Sequence, residues 1–245
     1  MIFPLFRCVA LLAGILLAAD VQAGIVLNTT RVIYPAKDKE VSFGVHNTGS
    51  AEILLQSWLE SNAQNPDPGS LPFVVTPALA RLQGDGKQLL RIIYAGTDMP
   101  RDRESVLWLN VQEIPQAVAE NSLQVAIRQR IKVFFRPEGL PGEVAQAPQA
   151  LRWRIEQAGL QVENPGAYHV SMVRLEVRQD GDILLSVDGQ MIAPGQSIRL
   201  PLKRPPKPAP SNLSFISIND FGGQEPYRAV LKTGQVVQAA VAEPR

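Results

Sequence analysis

Residues 121–137 read "NSLQVAIRQRIKVFFRP". From Leu123 to Phe135 the odd positions carry Leu, Val, Ile, Gln, Ile, Val and Phe, and the even positions carry Gln, Ala, Arg, Arg, Lys and Phe. Apolar and polar side chains that alternate in this way mark a strand with one dry and one wet face. A helix would put Leu123, Ile127, Arg130 and Phe134 on one stripe, mixing the two classes. At about 3.3 Å per residue the segment 123–135 spans about 40 Å, roughly twice an ordinary strand. Its wet face holds Arg128, Arg130 and Lys132 and no acid.

Shorter runs of the same kind fill the chain on both sides. Before it lie "GIVLNTTRVIYP", "EVSFGVHN", "EILLQSWLE", "FVVTP", "QLLRIIYAG" and "SVLWLNVQEIP". Turn formers such as Asn47-Thr48-Gly49 and Gly84-Asp85-Gly86 separate them, the latter reading as a hairpin turn. After it come "LRWRIEQ", "GLQVENP", "VSMVRLEV", "DILLSV", "SIRLPL", "LSFISIND" and "YRAVLK". Seven short strands in about 110 residues is the pattern of an immunoglobulin-like sandwich, and here it occurs twice. Arg136-Pro137-Glu138-Gly139-Leu140-Pro141-Gly142 interrupts the two sets, since neither a strand nor a helix crosses such a run smoothly. The expected organisation is all-β, with domains at 24–137 and 138–245. "LKRPPKPAPSN" (202–212) reads as an irregular extended loop.

Residues 1–23 read as a signal peptide: Arg7, the apolar run "CVALLAGILLAA", then Val21-Gln22-Ala23 before Gly24. A run of about 12 apolar residues is too short to span a bilayer but suits secretion. Cys8 is the only cysteine and would leave with the peptide, so the exported chain rests on its cores without disulfides. The remaining 23 basic and 22 acidic residues leave a net charge of +1, which points to neither nucleic acid nor stable membrane insertion.

Catalytic and metal signatures are missing from the sequence. His46 and His169 stand alone near turns, without ligands at metal spacing, and read as loop or strand-surface imidazoles. No Gly-x-Ser-x-Gly, Walker-type loop or dinucleotide fingerprint occurs, so no catalytic residue, metal or cofactor is expected.

A long edge strand is an invitation to pairing. Leu123, Val125 and Ile127 have the spacing that fills successive pockets of another β-fold, as in β-augmentation; equally, they can line the domain's own core. Ile131, Val133 and Phe135 fit the domain's own core. Lys132, and Arg31 on the first strand, can accept a carboxylate through charge-assisted bonds or sit in solvent.

The segments "TTRVIYP", "FVVTPALARL", "QLLRI", "DRESVLWLNVQEIP", "LQVAIRQRIKVFFRP" and "SINDFGG" together resemble, in order, the periplasmic chaperones of the chaperone–usher pilus pathway. "GLQVENPGAYHV" and "MIAPGQSIRLPL" extend the resemblance through both halves. It implies two immunoglobulin-like domains in an L-shaped arrangement, pilus subunits and an outer-membrane usher as partners, and a periplasmic location. It also implies that Arg31 and Lys132 anchor the C-terminal carboxylate of a subunit, and that Leu123, Val125 and Ile127 are donor positions filling the subunit's open groove. Glu104, Arg136 and Asp220 would form a structural charged cluster between the domains. The short Pro115–Leu123 interval resembles the short-loop branch, and the exposed edge gives free chains a route to self-association. Departures are the missing cysteine pair in the second domain and Leu107 where an aromatic is common. An exported two-domain structural or adhesive subunit is the alternative; it should carry an alternating donor extension ahead of its first strand, whereas here Arg31 follows Gly24 almost at once.

Overall fold

The computed structural model describes residues 24–61, 71–116 and 124–242. The expected signal peptide and Leu123 lie outside the described residues. The first half contains β1 (Ile25–Leu27), β2 (Arg31–Pro35), β3 (Glu40–Asn47), β4 (Ile53–Glu60), β5 (Phe73–Thr76), β6 (Leu79–Leu82), β7 (Lys87–Tyr94), β8 (Ser105–Pro115) and β9 (Arg128–Arg136). They form two facing sheets, β1-β3-β7-β5 and β2-β9-β8-β4-β6. The second half contains β10 (Arg152–Glu156), β11 (Gly159–Glu163), β12 (Val170–Gln179), β13 (Asp182–Ile192), β14 (Ser197–Leu200), β15 (Ser211–Ile218), β16 (Gln224–Leu231), β17 (Val236–Val237) and β18 (Ala240–Val241). Their sheets are β14-β11-β10-β17 and β13-β12-β15-β16-β18.

Each half closes over its own core. Tyr34, Leu55, Leu90, Ile92, Leu109 and Val133 are among the buried residues of the first; Trp153, Leu160, Val177, Phe215 and Tyr227 belong to the second. No buried residue is shared between the two clusters, so the all-β, two-sandwich expectation holds. The aromatic centre of the first core joins four elements, with Tyr34, Phe73, Tyr94 and Phe135 in edge, tilted and stacked contacts.

Four local readings need correction. "GIVLNTTRVIYP" is two strands in opposite sheets: β1 pairs with β3, and β2 runs parallel to β9. Asn28-Thr29-Thr30 makes the crossing, with the Asn28 carboxamide accepting from Gly44 N–H at 3.0 Å and Arg31 N–H donating to Thr29 Oγ1 at 3.3 Å. Gly84-Asp85-Gly86 is a turn between sheets, since it leads from β6, paired to β4, into β7, paired to β3 and β5. "LARL" is itself a strand, β6, pairing with β4 across Leu79–Leu82. The opening stretch is the fourth. Its ladder to β8 runs only from Arg128 to Phe135, with one further bond from Glu113 N–H to the Ile127 carbonyl at 3.1 Å. Past that point β8 cannot continue the ladder. Pro115, which this register sets opposite Val125, has no N–H to donate.

Candidate functional site

On its other edge β9 is covered only from Lys132 to Arg136, where β2 pairs with it. Residues 128–131 have no strand partner there among the described residues. Just before them Val125 is 65% exposed and Ile127 45% exposed, although both are apolar. The three odd residues further on, Ile131, Val133 and Phe135, are buried in the first core. The stretch is therefore divided: a paired half that belongs to this domain, and an unpaired half that offers an open edge and bare aliphatic side chains.

The cations lie where the covered edge begins. Arg31 and Lys132 are directly opposite neighbours in the β2–β9 pair, so two positive side chains leave the same face side by side. Arg31 is no solvated strand residue: it is only 9% exposed, it donates from Nη1 to the Ile218 carbonyl at 2.9 Å, and its guanidinium lies 5.7 Å from the Phe134 ring centroid. Its Nε has no partner among the described residues. Lys132 donates to Ser171 Oγ of the second domain at 3.3 Å and lies 5.7 Å from the centre of the Trp108 ring. Burial lowers the pKa of both groups; repulsion by Arg31 adds to the effect at Lys132, and attraction by Asp220 and Glu104 partly offsets it at Arg31. No acid forms an ion pair with either among the described residues. An incoming carboxylate would supply the missing counter-charge.

Arg128 and Arg130 separate from this pair. Arg130 lies 4.1 Å from the Trp108 ring centroid and 3.5 Å from Glu60, and Arg128 lies 6.0 Å from the Trp58 ring. These are cation–π and rim contacts along the outer sheet face.

Below the cations the two domains are joined by charge. Arg136 donates from Nε and Nη2 to Glu104 Oε2 at 3.0 and 2.8 Å, and from Nη1 and Nη2 to Asp220 Oδ2 and Oδ1 at 2.6 and 3.0 Å. Burial opposes the arginine's charge. The bonds to Asp220 and the field of both carboxylates overcome that and hold its pKa above the ordinary value. The expected trio is thus one bonded unit, and a fourth member was missed. His169 donates from its backbone N–H to Glu104 Oε1 at 3.0 Å, and its Nδ1 lies 2.9 Å from the same oxygen. Its side chain is 4% exposed, so it is a joint residue and not a surface imidazole. Phe134, assigned to the wet face by its parity, is buried here too, with its ring 5.6 Å from that of His169. A single strand pattern cannot report a second domain standing against its outer face. His46, in contrast, is half-buried beside Asp85 at 2.7 Å and takes no part in the joint.

Comparison with known proteins bears on the whole arrangement. Residues 24–141 match the family model described as "Pili and flagellar-assembly chaperone, PapD N-terminal domain", and residues 146–229 match "Pili assembly chaperone PapD, C-terminal domain". The chain belongs to the PapD family of pilus-assembly chaperones. The probable fimbrial chaperone YadV of Escherichia coli K12 is 40% identical over 215 residues, covering 82% of this chain and 87% of YadV. The crystal structure of YadV chaperone superimposes with a TM-score of 0.75 at 36% identity, over 85% of this chain and all of that one. The SafB chaperone of Salmonella enterica, solved in complex with the SafA pilin, gives a TM-score of 0.71 at 28% identity, over 87% of this chain and 99% of that one. For a PapD-like chaperone the described residues hold no cluster of potential metal ligands and no helix long and apolar enough to cross a membrane.

Proposed function

We propose that this chain works in the periplasm as a chaperone that captures pilus subunits by donor-strand complementation and hands them to an outer-membrane usher. The observation that carries the reading is the open edge of β9, with exposed Val125 and Ile127 beside it, running up to the unneutralised pair Arg31 and Lys132. A subunit sandwich that lacks one strand has a groove in its core. Residues 123–131 would lie along that groove, with Leu123, Val125 and Ile127 as the inserted side chains and the subunit's C-terminal carboxylate held by Arg31 and Lys132. The domains at 24–137 and 138–245 would form the two arms of the cleft, joined by the Glu104–Arg136–Asp220 cluster.

Magnitudes explain why both parts are needed. Full burial of three branched aliphatics contributes about 1.5–3 kcal/mol each. Charge-assisted bonds to the carboxylate contribute about 1.5–3 kcal/mol each, and ordering the partners offsets part of the sum. The cations also fix register, because a slip by two residues would take every side chain to the wrong pocket. No nucleotide is required: the open groove is filled by exchange of one strand for another. The alternative of an adhesive subunit loses ground because both halves match chaperone domains.

Co-expression with candidate pilus subunits, followed by native mass measurement of the periplasmic extract, tests the reading. A one-to-one complex is expected with the cognate subunit. Subunits that are equally soluble and abundant without this chain would sink it.

A further inference from the structure

Between the domains, next to the cation pair, lies a pocket of about 160 Å³. Its apolar walls are Phe134, Val144, Ala145, Pro148, Ile218 and Phe221. Most of its polar lining is already satisfied internally, since Glu104, Arg136, His169 and Asp220 are bonded to one another. Arg31 is the exception, a lining residue that is nine-tenths buried and whose Nε is unpartnered among the described residues.

Phe221 stands at the mouth of this pocket and is 97% exposed. Its backbone is held firmly. The Asn219 carboxamide oxygen accepts from Phe221 N–H at 3.1 Å and Gly223 N–H at 2.8 Å, while Asn219 Nδ2 donates to Glu225 Oε1 at 2.8 Å. Gly222 has φ +82°, and a Cβ there would stand 2.9 Å from Thr30 Oγ1, so the turn is pressed against the first domain as closely as glycine permits. A large aromatic on a pre-ordered turn has the properties of a binding anchor: apolar area still to be buried, and little entropy left to lose.

Size limits the guest. Small-molecule sites run to about 300–1,000 Å³, whereas an apolar cavity of about 150 Å³ accommodates a benzene ring. One side chain fits; a cofactor does not. Arg31 belongs both to this pocket and to the cation pair, so a chain whose carboxylate rests at Arg31 and Lys132 would bring its last side chain to the pocket mouth. We infer that the pocket receives the side chain of the captured subunit's C-terminal residue, that an aromatic side chain suits it best, and that Phe221 closes over the guest. The Arg31 guanidinium would lie against the guest ring as it does against Phe134. An acidic guest would meet Glu104, Asp220 and Glu225 in the lining. This inference rests on the subunit-capture reading.

Labelled 16-residue peptides of alternating Ser and Val, ending in Phe, Ala or Asp, each as free acid and as amide, can be titrated against the full mature chain. The Phe-ended acid is expected to bind about tenfold more tightly than the Ala-ended acid, and the Asp-ended acid more weakly than both. Phe221→Ala should remove most of the Phe-over-Ala preference without affecting the acid-over-amide preference; Phe221 is exposed, so its loss leaves the fold intact. Ala145→Leu, which fills the pocket from its rim, should do the same. Acids that bind better than amides but do not discriminate Phe from Ala would overturn the pocket and leave carboxylate capture standing. Acids no better than amides would overturn both.

Discussion

Lys132 carries a charge that the fold does not neutralise. Burial, and then repulsion by Arg31, lowers its pKa from the ordinary 10.5. A group that holds its proton less tightly in the folded chain than in the unfolded one makes stability rise with pH on the approach to that ordinary value. Lys132→Met should therefore be no less stable than the parent at about pH 7, with the parent gaining on it towards about pH 10. Urea unfolding of the two chains at both pH values gives the comparison. The same variant should lose co-purification with subunits, because a captured carboxylate would lose one of the two partners proposed for it. A variant that melts early would instead make Lys132 a fastener to Ser171 of the second domain. Stability and function are expected to part company here, as they do where a site is kept charged for an absent ligand.

At the scale of elements, the divided strand makes an equally direct case. Val125 and Ile127 are exposed in the free chain and outside any strand, so Val125→Asp and Ile127→Asp should change unfolding free energy by no more than about 0.5 kcal/mol. In a filled subunit groove the same carboxylates would be buried without partners, and capture should fall below detection in a periplasmic pull-down. If both variants recover subunits normally, the donor role belongs elsewhere. What the sequence could express about this element was its alternation and its apolar residues, and those read correctly for Ile131, Val133 and Phe135. It could not express where the ladder stops, because that depends on Pro115 of the neighbouring strand. Nor could it express that Phe134 and His169 face each other, since each lies on a locally ordinary pattern and only the packing of one domain on the other gives them a role. Gln179 is a similar case in the second domain. It is fully buried, and its side chain donates to the Lys207 and Ala209 carbonyls and accepts from Lys207 N–H, so it shapes the proline-rich 202–212 loop from a distant strand. The resemblance implies the Glu104–Arg136–Asp220 cluster; His169 joins it only through the packing of one domain on the other.

For the molecule as a whole, the separation of the two cores puts the burden of orientation on the joint. Among the described residues the domains share no buried apolar cluster, and Arg136 is the one side chain whose ion pairs reach carboxylates of both. Removing one partner of a buried ion pair costs about 3–5 kcal/mol, because the other charge is left stranded. Here Glu104 keeps its two bonds from His169, and Asp220 can turn to water, so Arg136→Ala should lie at or below the lower end of that range. The loss should appear less in the sandwiches than between them. Solution scattering should show a broader distribution of interdomain distances, and far-ultraviolet circular dichroism should keep its strand signal. Arg136→Lys should recover little, because one ammonium cannot present a planar fork to Glu104 and Asp220 together. Capture should weaken in both variants even with Arg31 and Lys132 intact, since Lys132 meets Ser171 and Arg31 meets Ile218 only while the second domain stands at its present angle. An unchanged scattering profile together with an unchanged melting curve for Arg136→Ala would remove the cluster from any role in setting that angle, and would assign it to the Phe134–His169 contact instead.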